Sequence, residues 1–360
     1  MVKKKIAFFI SSMDIGGAEK TTLAMIEQLI HLNFQVTLIL TVKRGELIGS
    51  VPQDCDVTSI DITRSFQIPF KLWKCLQEHR IEVLVSNFWK LNLCASVVKL
   101  IMPKLRLVLV EHSPPSQTST SPVWLYRPLT SILYRCASRV VAVSNSVKQD
   151  VIRCTVALKD KIIVLYNPVS IERNSLTTLS EEEPKCTGRG VDLIFIGRLE
   201  PEKNVELILD AIKILSAKCR KIDIVGDGSL RSSLEKKAID IGIQDKVNFL
   251  GFKQDITEAL CASDILVLSS DMEGLPTVVI EALICGKGVA VIPIPGGINE
   301  ILMDGRYGTV GENRTPLALA KAICAEADRY KTYASQKEGA DKFSPKVVAQ
   351  RFVKEIIEYK

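Results

Sequence analysis

Histidine is scarce in this chain: three occur in 360 residues, His31, His79 and His112. The ten cysteines are scattered, with no CxxC pair. A zinc site and a disulfide framework are therefore both unsupported, and dispersed thiols such as Cys136, Cys219, Cys261 and Cys285 suit a reducing, cytoplasmic setting. No run approaches the roughly 18 apolar residues of a membrane-spanning helix. The early apolar core Ile6–Ile10 is shorter than the about 7 to 15 residues of a secretory h-region, and it reads as a first buried strand. G-x-G-x-x-G is absent, which removes the dinucleotide fingerprint. No aromatic-basic sheet motif appears either, so a nucleic-acid partner has no support.

What is present is a soluble, globular composition, 47% hydrophobic and 24% charged. The length exceeds the roughly 250 to 300 residues at which single cores stop growing, so two domains are expected. Charge is uneven: the first 170 residues carry a net +9 and the remainder −3. A basic first half suits an anionic partner such as phosphate or acidic lipid, although ordinary surface variation would also produce it.

Strand-length apolar runs alternate with helical periodicity. They fall at Ile6–Ile10, Val36–Val42, Val83–Ser86, Leu105–Val110 and Val140–Val143, and resume at Val191–Ile196, Ile222–Val225, Val247–Leu250, Ile265–Leu268 and Val289–Ile292. Such alternation predicts parallel sheets covered by helices on both faces. The polar stretch 171–190 reads as a linker. The chain is thus an α/β protein of two doubly wound, Rossmann-like domains, 1–170 and 191–344, facing each other across a cleft. A helix from about Pro345 is expected to pack back on the first domain.

Ligands in such sheets sit at the carboxyl ends of the strands, where loops lead into helices. Five such junctions draw notice. Ser11–Glu19 holds Gly16 and Gly17, which let backbone approach a ligand at the start of a helix running to about Leu32; a simple capped turn would look the same. His112, in Glu111-His112-Ser113, ends a buried strand, whereas His31 and His79 lie at helix ends; a structural histidine is the alternative. Arg198 and Lys203 flank a proline turn and suit a diphosphate, or else are solvated charges. Gly226-Asp227-Gly228 is a weak, common turn. The most informative stretch is Ser269–Leu283. Glu273 stands in a Gly-Pro turn, and Glu281 lies in the apolar run Val278–Ile284. A carboxylate there is costly unless paired. It could bind vicinal sugar or ribose hydroxyls by charge-assisted bonds, or form a salt bridge. Pro276 fits a first helical turn, and the NH groups from Gly274 to Thr277 could meet an anion. Asp54-Cys55-Asp56 spells DxD, a metal–nucleotide motif in some sugar transferases, but it precedes an edge-like strand.

In order, GGAE, EHS, VSNS, YNPV, GRLEPEKN, VGDGSLRSSL and EGLPTVVIEAL resemble glycosyltransferase family 4, retaining enzymes of the GT-B fold, over nearly the whole chain. EHS and EGLPTVVIEAL are also similar to bacterial enzymes that add hexose or N-acetylhexosamine to lipid-linked oligosaccharides. The resemblance implies a nucleotide-diphosphate sugar donor, most often a UDP-sugar, and no required metal or other cofactor. It implies that Glu281 holds the ribose and that Glu273, with Gly274, Leu275, Pro276 and Thr277, holds the donor sugar. Arg198 and Lys203 would bind the diphosphate, and Gly16 and Gly17 would approach the phosphates or the acceptor. His112 would contact the sugar, and the base would lie near Gly251 and Phe252. With no carboxylate nucleophile in the first domain, the acceptor would attack from the face the leaving group departs. The cluster Trp124, Leu125, Tyr126 and Arg127 beside a polar loop could rest on an anionic inner-leaflet surface, or be a loop and core helix. An epimerase of the same architecture and a non-catalytic nucleotide-sugar binder are the competing readings.

Overall fold

The computed structural model describes residues 4–62, 64–118, 123–155, 159–171, 190–329 and 339–359; within 117–129, only the side chain of 128 is described. The linker expected at 171–190 lies, but for its two end residues, outside the described residues.

Two compact units form. One comprises Met1–Val169 with Lys342–Lys360, the other Ser170–Asp341. The first unit runs β1 (Lys5–Ile10), α1 (Gly17–His31), β2 (Gln35–Leu40), β3 (Cys55–Ser59), α2 (Ile68–Glu78), β4 (Val83–Asn87), α3 (Trp89–Ile101), β5 (Arg106–Glu111), α4 (Pro115–Thr118), α5 (Val123–Arg135), β6 (Arg139–Ala142), α6 (Asn145–Cys154) and β7 (Ile162–Val164). Its sheet has the order β3-β2-β1-β4-β5-β6-β7, and every pairing is parallel. The second unit runs β8 (Val191–Ile196), α7 (Val205–Leu215), β9 (Cys219–Val225), α8 (Arg231–Asp240), β10 (Val247–Gly251), α9 (Thr257–Cys261), β11 (Ile265–Leu268), α10 (Thr277–Ile284), β12 (Gly288–Val291), α11 (Ile298–Leu302), β13 (Thr309–Val310) and α12 (Pro316–Arg329). Its order is β10-β9-β8-β11-β12-β13, again all parallel.

The sequence dictates these elements simply. Ile6 to Ile10 and Ile265 to Leu268 are buried at every position, as strands covered on both faces must be. Helix α1 buries Thr21, Thr22, Met25, Ile26 and Leu29, a stripe at helical spacing. The Thr21 and Thr22 hydroxyls donate back to the Ala18 carbonyl, so their burial leaves no open donor. In each sheet the strand order reverses once, between β1 and β4 and between β8 and β11. The loops leaving those strands diverge to opposite faces and leave a crevice. Edge strand β3 starts at Cys55, so Asp54 and Asp56 lie at the opposite, amino end of the sheet, which removes the DxD reading. Among the described residues no helix is long and apolar enough to cross a membrane.

The last helix, Pro345–Phe352, packs on α1 in the first unit. The Ser344 hydroxyl accepts from the Val347 amide at 3.4 Å, capping it. Phe343 is fully buried, its carbonyl accepts from Val169 N at 2.9 Å, and its ring lies 5.0 Å from that of Tyr166. These contacts set the unit boundary before Lys342. The Arg106 guanidinium donates to the carbonyls of Ile356, Ile357 and Tyr359 at 2.8, 2.6 and 2.7 Å, and Lys4 Nζ also reaches Ile357 O, at 3.2 Å. Arg139 stacks 3.5 Å over the Tyr359 ring. These cations meet the carbonyl end of the closing helical turns, which carries partial negative charge. Arg106→Ala should lower the stability of this unit by about 1–3 kcal/mol. Hydrogen exchange should show residues 345–359 losing protection before the sheet does; unchanged protection there would refute the clasp.

Candidate active site

The second unit builds its site from the loops that leave β8 and β11, the two strands at its order reversal. Lys203, from the first loop, reaches across to Glu273, from the second: Nζ to Oε1 is 2.6 Å, and the side chains are only 18% and 15% exposed. Ser270 donates to the same carboxylate oxygen at 2.7 Å. Ser269, fully buried, donates to the carbonyls of Lys203 and Asn204 at 2.9 and 2.8 Å and so ties one loop to the other. The ion pair lies in a region of weak screening, where both charges need their partner.

Arg198 does not join that pair. Its guanidinium is 72% exposed and pairs with Glu202 at 2.8 Å. The two cations expected to act together therefore have different environments: Lys203 is built into the crevice wall, and Arg198 stands at its rim. Glu281 also differs from expectation. Helix α10 buries Val279, Ile280, Ala282 and Leu283, while Thr277, Val278 and Glu281 share a half-exposed stripe. The apolar run therefore did not mean burial of the carboxylate. Among the described residues no side chain caps the amino end of α10, where Pro276 is the capping position; the Val279 amide donates to the Pro276 carbonyl, and those of Thr277 and Val278 are the ones a ligand could meet. Gly274 and Leu275 are buried in the turn before it. Gly251, at the end of β10, takes a left-handed φ of 67° and its carbonyl accepts from Gly226 N at 2.8 Å; Phe252 beyond it is 52% exposed.

Sequence reasoning missed the loop after β12. Glu273 bridges to Gly296, and its NH donates to Pro295 O at 3.1 Å. Gly296 has φ 136°, and a β-carbon there would stand 1.6 Å from the Glu273 carbonyl oxygen. Only glycine fits, and Pro295-Gly296-Gly297 following a buried strand was a usable signal. Arg314 was missed as well: it donates to the carbonyls of Ser270 and Pro293 and pairs with Asp271. No local pattern pointed to it.

The first unit gathers a second group of residues at the carboxyl ends of its strands. Gly16 precedes α1 with extended backbone, and Gly17 is the helix's first residue. His112 follows β5. Its Nε2 lies 2.9 Å from Asn87 Oδ1, its ring packs 5.5 Å from that of Phe88, and burial pulls its pKa down to about 4. Phe88 holds φ 71° and ψ 140°, a region residues with a β-carbon avoid at a cost of about 1–3 kcal/mol; such strain concentrates at functional sites. The preceding Glu111 is 2% exposed. It accepts from Asn92 Nδ2 at 2.8 Å and from the buried Tyr134 hydroxyl. Burial pushes its carboxyl up to about 7, against the pull of those two donors. Beyond His112, Asp150 accepts from Ser116 N and Oγ at 2.9 and 2.7 Å. The histidine is thus held between two buried carboxyl anchors, of which the sequence reading had named neither as such. The cluster Trp124–Arg127 falls within α5, but its side chains lie outside the described residues.

Two outcomes test these arrangements. Gly296→Ala must displace the Glu273 backbone, so it should weaken ligand binding by the second unit at least tenfold, about 1.4 kcal/mol, with the first unit's thermal transition unchanged. For Glu111, the folded pKa lies above the ordinary 4.5, so the folded state holds the extra proton and stability falls as pH rises from about 4.5 through 7. Glu111→Gln should flatten that part of the profile in urea titrations at pH 5 to 8; an identical slope would contradict the assignment.

The comparisons with known proteins agree with this geometry. The model of the Glycosyltransferase Family 4 domain matches residues 15–173, and that of glycosyl transferases group 1 matches 181–343. An α-1,4-N-acetyl-D-galactosaminyltransferase of Campylobacter jejuni, named for the substrate GalNAc-α-(1→4)-GalNAc-α-(1→3)-diNAcBac-PP-undecaprenol, is 27% identical over 89% of this chain and 88% of its own. The UDP-Gal:α-D-GlcNAc-diphosphoundecaprenol α-1,3-galactosyltransferase of Escherichia coli is 24% identical, covering 82% and 80%. Among solved structures, HepE of Anabaena, crystallised with UDP and glucose, superposes with a TM-score of 0.81 at 20% identity, covering 99% of this chain and all of that one. WaaG, a glycosyltransferase involved in lipopolysaccharide biosynthesis, gives 0.73 at 15% identity over 98% of this chain. With two parallel, doubly wound units, each matched by a glycosyltransferase model, this chain is a family 4-like glycosyltransferase of GT-B fold.

Proposed function

We propose that this enzyme transfers a hexose or N-acetylhexosamine from a nucleotide-diphosphate sugar, a UDP-sugar by preference, to a polyprenyl-diphosphate-linked or glycan acceptor in cell-surface polysaccharide synthesis, with retention at the anomeric carbon. The observation that carries the reading is the Lys203–Glu273 pair, set between the two switch-point loops beside the uncapped amino end of α10. A nucleotide sugar offers anionic phosphates and vicinal hydroxyls, and this site offers both counterparts. Glu273 Oε1 is taken by Lys203 and Ser270, which leaves Oε2 to accept from sugar hydroxyls. Glu281, on the half-exposed stripe of α10, would accept from the ribose hydroxyls. Lys203, Arg198 and the helix NH groups would meet the diphosphate.

The chemistry follows from those placements. Breaking the bond between the anomeric carbon and the phosphate oxygen puts its electron pair on the diphosphate and leaves positive charge on the sugar ring. Fixed cations and oriented NH groups stabilise that leaving group as its charge develops, and the reading calls for no metal. The acceptor hydroxyl attacks the same face, and its proton passes to the departing phosphate oxygen. The names of the Campylobacter and Escherichia relatives support a lipid-linked acceptor. A peripheral position on the inner face of a membrane would bring the enzyme to it. Exposed Phe70, Leu100 and Ile101, with exposed Lys74, Lys90 and Lys104, on or just after α2 and α3, suit such a surface, each cation contributing about 1 kcal/mol near anionic lipid.

The test is a thermal-shift panel of nucleotides and nucleotide sugars, followed by a transfer assay on polyprenyl-diphosphate-linked acceptors. UDP at 100 times its dissociation constant should stabilise by about 2.7 kcal/mol, and Glu281→Ala should abolish the shift. Lys203→Ala should lower kcat by about 10²–10³. An inverted anomeric proton coupling in the product would overturn retention, and no response to any nucleotide would overturn the donor assignment. Flotation with anionic liposomes, reduced in Phe70→Ser/Leu100→Ser, checks the membrane position.

A further inference from the structure

We propose that Asn87 is the positioning residue that fixes His112 as its Nε2–H tautomer, so that the ring presents Nδ1 to its ligand purely as a hydrogen-bond acceptor. The argument begins at the amide. Asn87 is the last residue of β4 and is buried. Its Nδ2 donates to the carbonyl of Phe9, in the neighbouring strand β1, at 3.4 Å. That bond sets which end of the amide faces which way: with the nitrogen turned to Phe9, Oδ1 faces His112 Nε2 at 2.9 Å. An amide oxygen can only accept, so Nε2 must carry the proton. A neutral imidazole has one N–H, and Nδ1 is then a bare lone pair. Nδ1 is buried and has no partner among the described residues.

The surroundings hold the ring in this state. Asn87 and His112 line a cavity of about 40 Å³ whose other walls include Val85, Val110, Val143 and Leu165. Such walls disfavour a second proton on the ring. Phe88 packs against one side of the imidazole, and its unusual backbone follows directly after Asn87. Asn87 and Phe88 therefore act as one turn: the first sets the tautomer, the second limits the ring's rotation. The same turn separates β4 from α3, at the order reversal of the first sheet.

A chemical specificity follows. A ring that can only accept through Nδ1 pairs with a donor, a hydroxyl or an amide N–H, and repels a phosphate or carbonyl oxygen. That part rests on the proposed function, in which the hydroxyl belongs to a sugar; the tautomer itself does not.

The experiment reads the tautomer first, on the full chain without ligand. With three histidines in the sequence, long-range ¹⁵N–¹H correlation spectra of the imidazoles give three patterns, assigned with His31→Gln and His79→Gln. His112 should show a protonated Nε2 and an unprotonated Nδ1. Asn87→Leu should lose that pattern, giving mixed tautomers, and should lower kcat/KM about 10- to 100-fold, by analogy with the loss of a partner that orients a metal-ligating histidine. UDP binding should be unchanged in it. Asn87→Asp, which keeps an accepting oxygen, should retain Nε2–H and hold a second proton on the ring to higher pH. A wild-type Nδ1–H pattern, or an imidazole spectrum indifferent to both substitutions, would overturn the proposal. If the tautomer is as stated but no sugar is transferred to any acceptor, the reading of function fails and the tautomer assignment stands.

Discussion

Parallel strands all present their carboxyl ends at one edge, and that edge can open only where strand order reverses. The rest of the molecule depends on this constraint. In the second unit the reversal between β8 and β11 sends two loops apart, and the Lys203–Glu273 ion pair at 2.6 Å, with the Ser269 hydroxyl on the Lys203 and Asn204 carbonyls, ties them together again. In the first unit the reversal between β1 and β4 lies beside Asn87 and, one strand over, His112. Each site is therefore a product of topology first and of side-chain chemistry second.

The two sites solve the burial problem differently. Lys203 and Glu273 are both charged types, and each satisfies the other in a partly desolvated place. In the first unit burial favours the uncharged forms of Glu111 and His112 instead, raising the carboxyl to about 7 and lowering the imidazole to about 4. Hydrogen bonds from Asn92 and Tyr134 then hold Glu111 in place, while Asp150 secures the following turn at Ser116. A fixed ring between two anchored backbone segments needs no loop ordering when a ligand arrives, and that entropy is a large part of what binding costs.

Much of this was legible in the chain. Continuous apolar runs such as Ala7–Ile10 and Ile265–Leu268 mark strands covered on both faces, and the segments between them carry the helical period, so two parallel sheets follow. Loops at the carboxyl ends of those strands drew attention to His112, Arg198, Lys203, Glu273 and Glu281. The neighbours that complete these residues were not legible. Asn87 reads as the end of an apolar strand, Tyr134 as an ordinary helical aromatic, and Arg314 as a surface cation. Their partners lie in other elements, and no periodicity encodes a contact between segments far apart in the chain.

The sequence by itself determined the alternation of strand and helix, the glycine-bearing turns and the residue types available at each strand end. These are local properties, governed by period, backbone freedom and the cost of burying polar groups. Only the tertiary structure decided which charges meet. Arg198 and Lys203 are near neighbours in the chain, yet one stands at the rim beside Glu202 and the other joins Glu273. Glu281 sits in an apolar run, yet it lies on the half-exposed stripe of its helix, because the phase of a helix against its sheet is set by packing. An electrostatic environment is a sum over neighbours in space, and a linear pattern does not specify those neighbours.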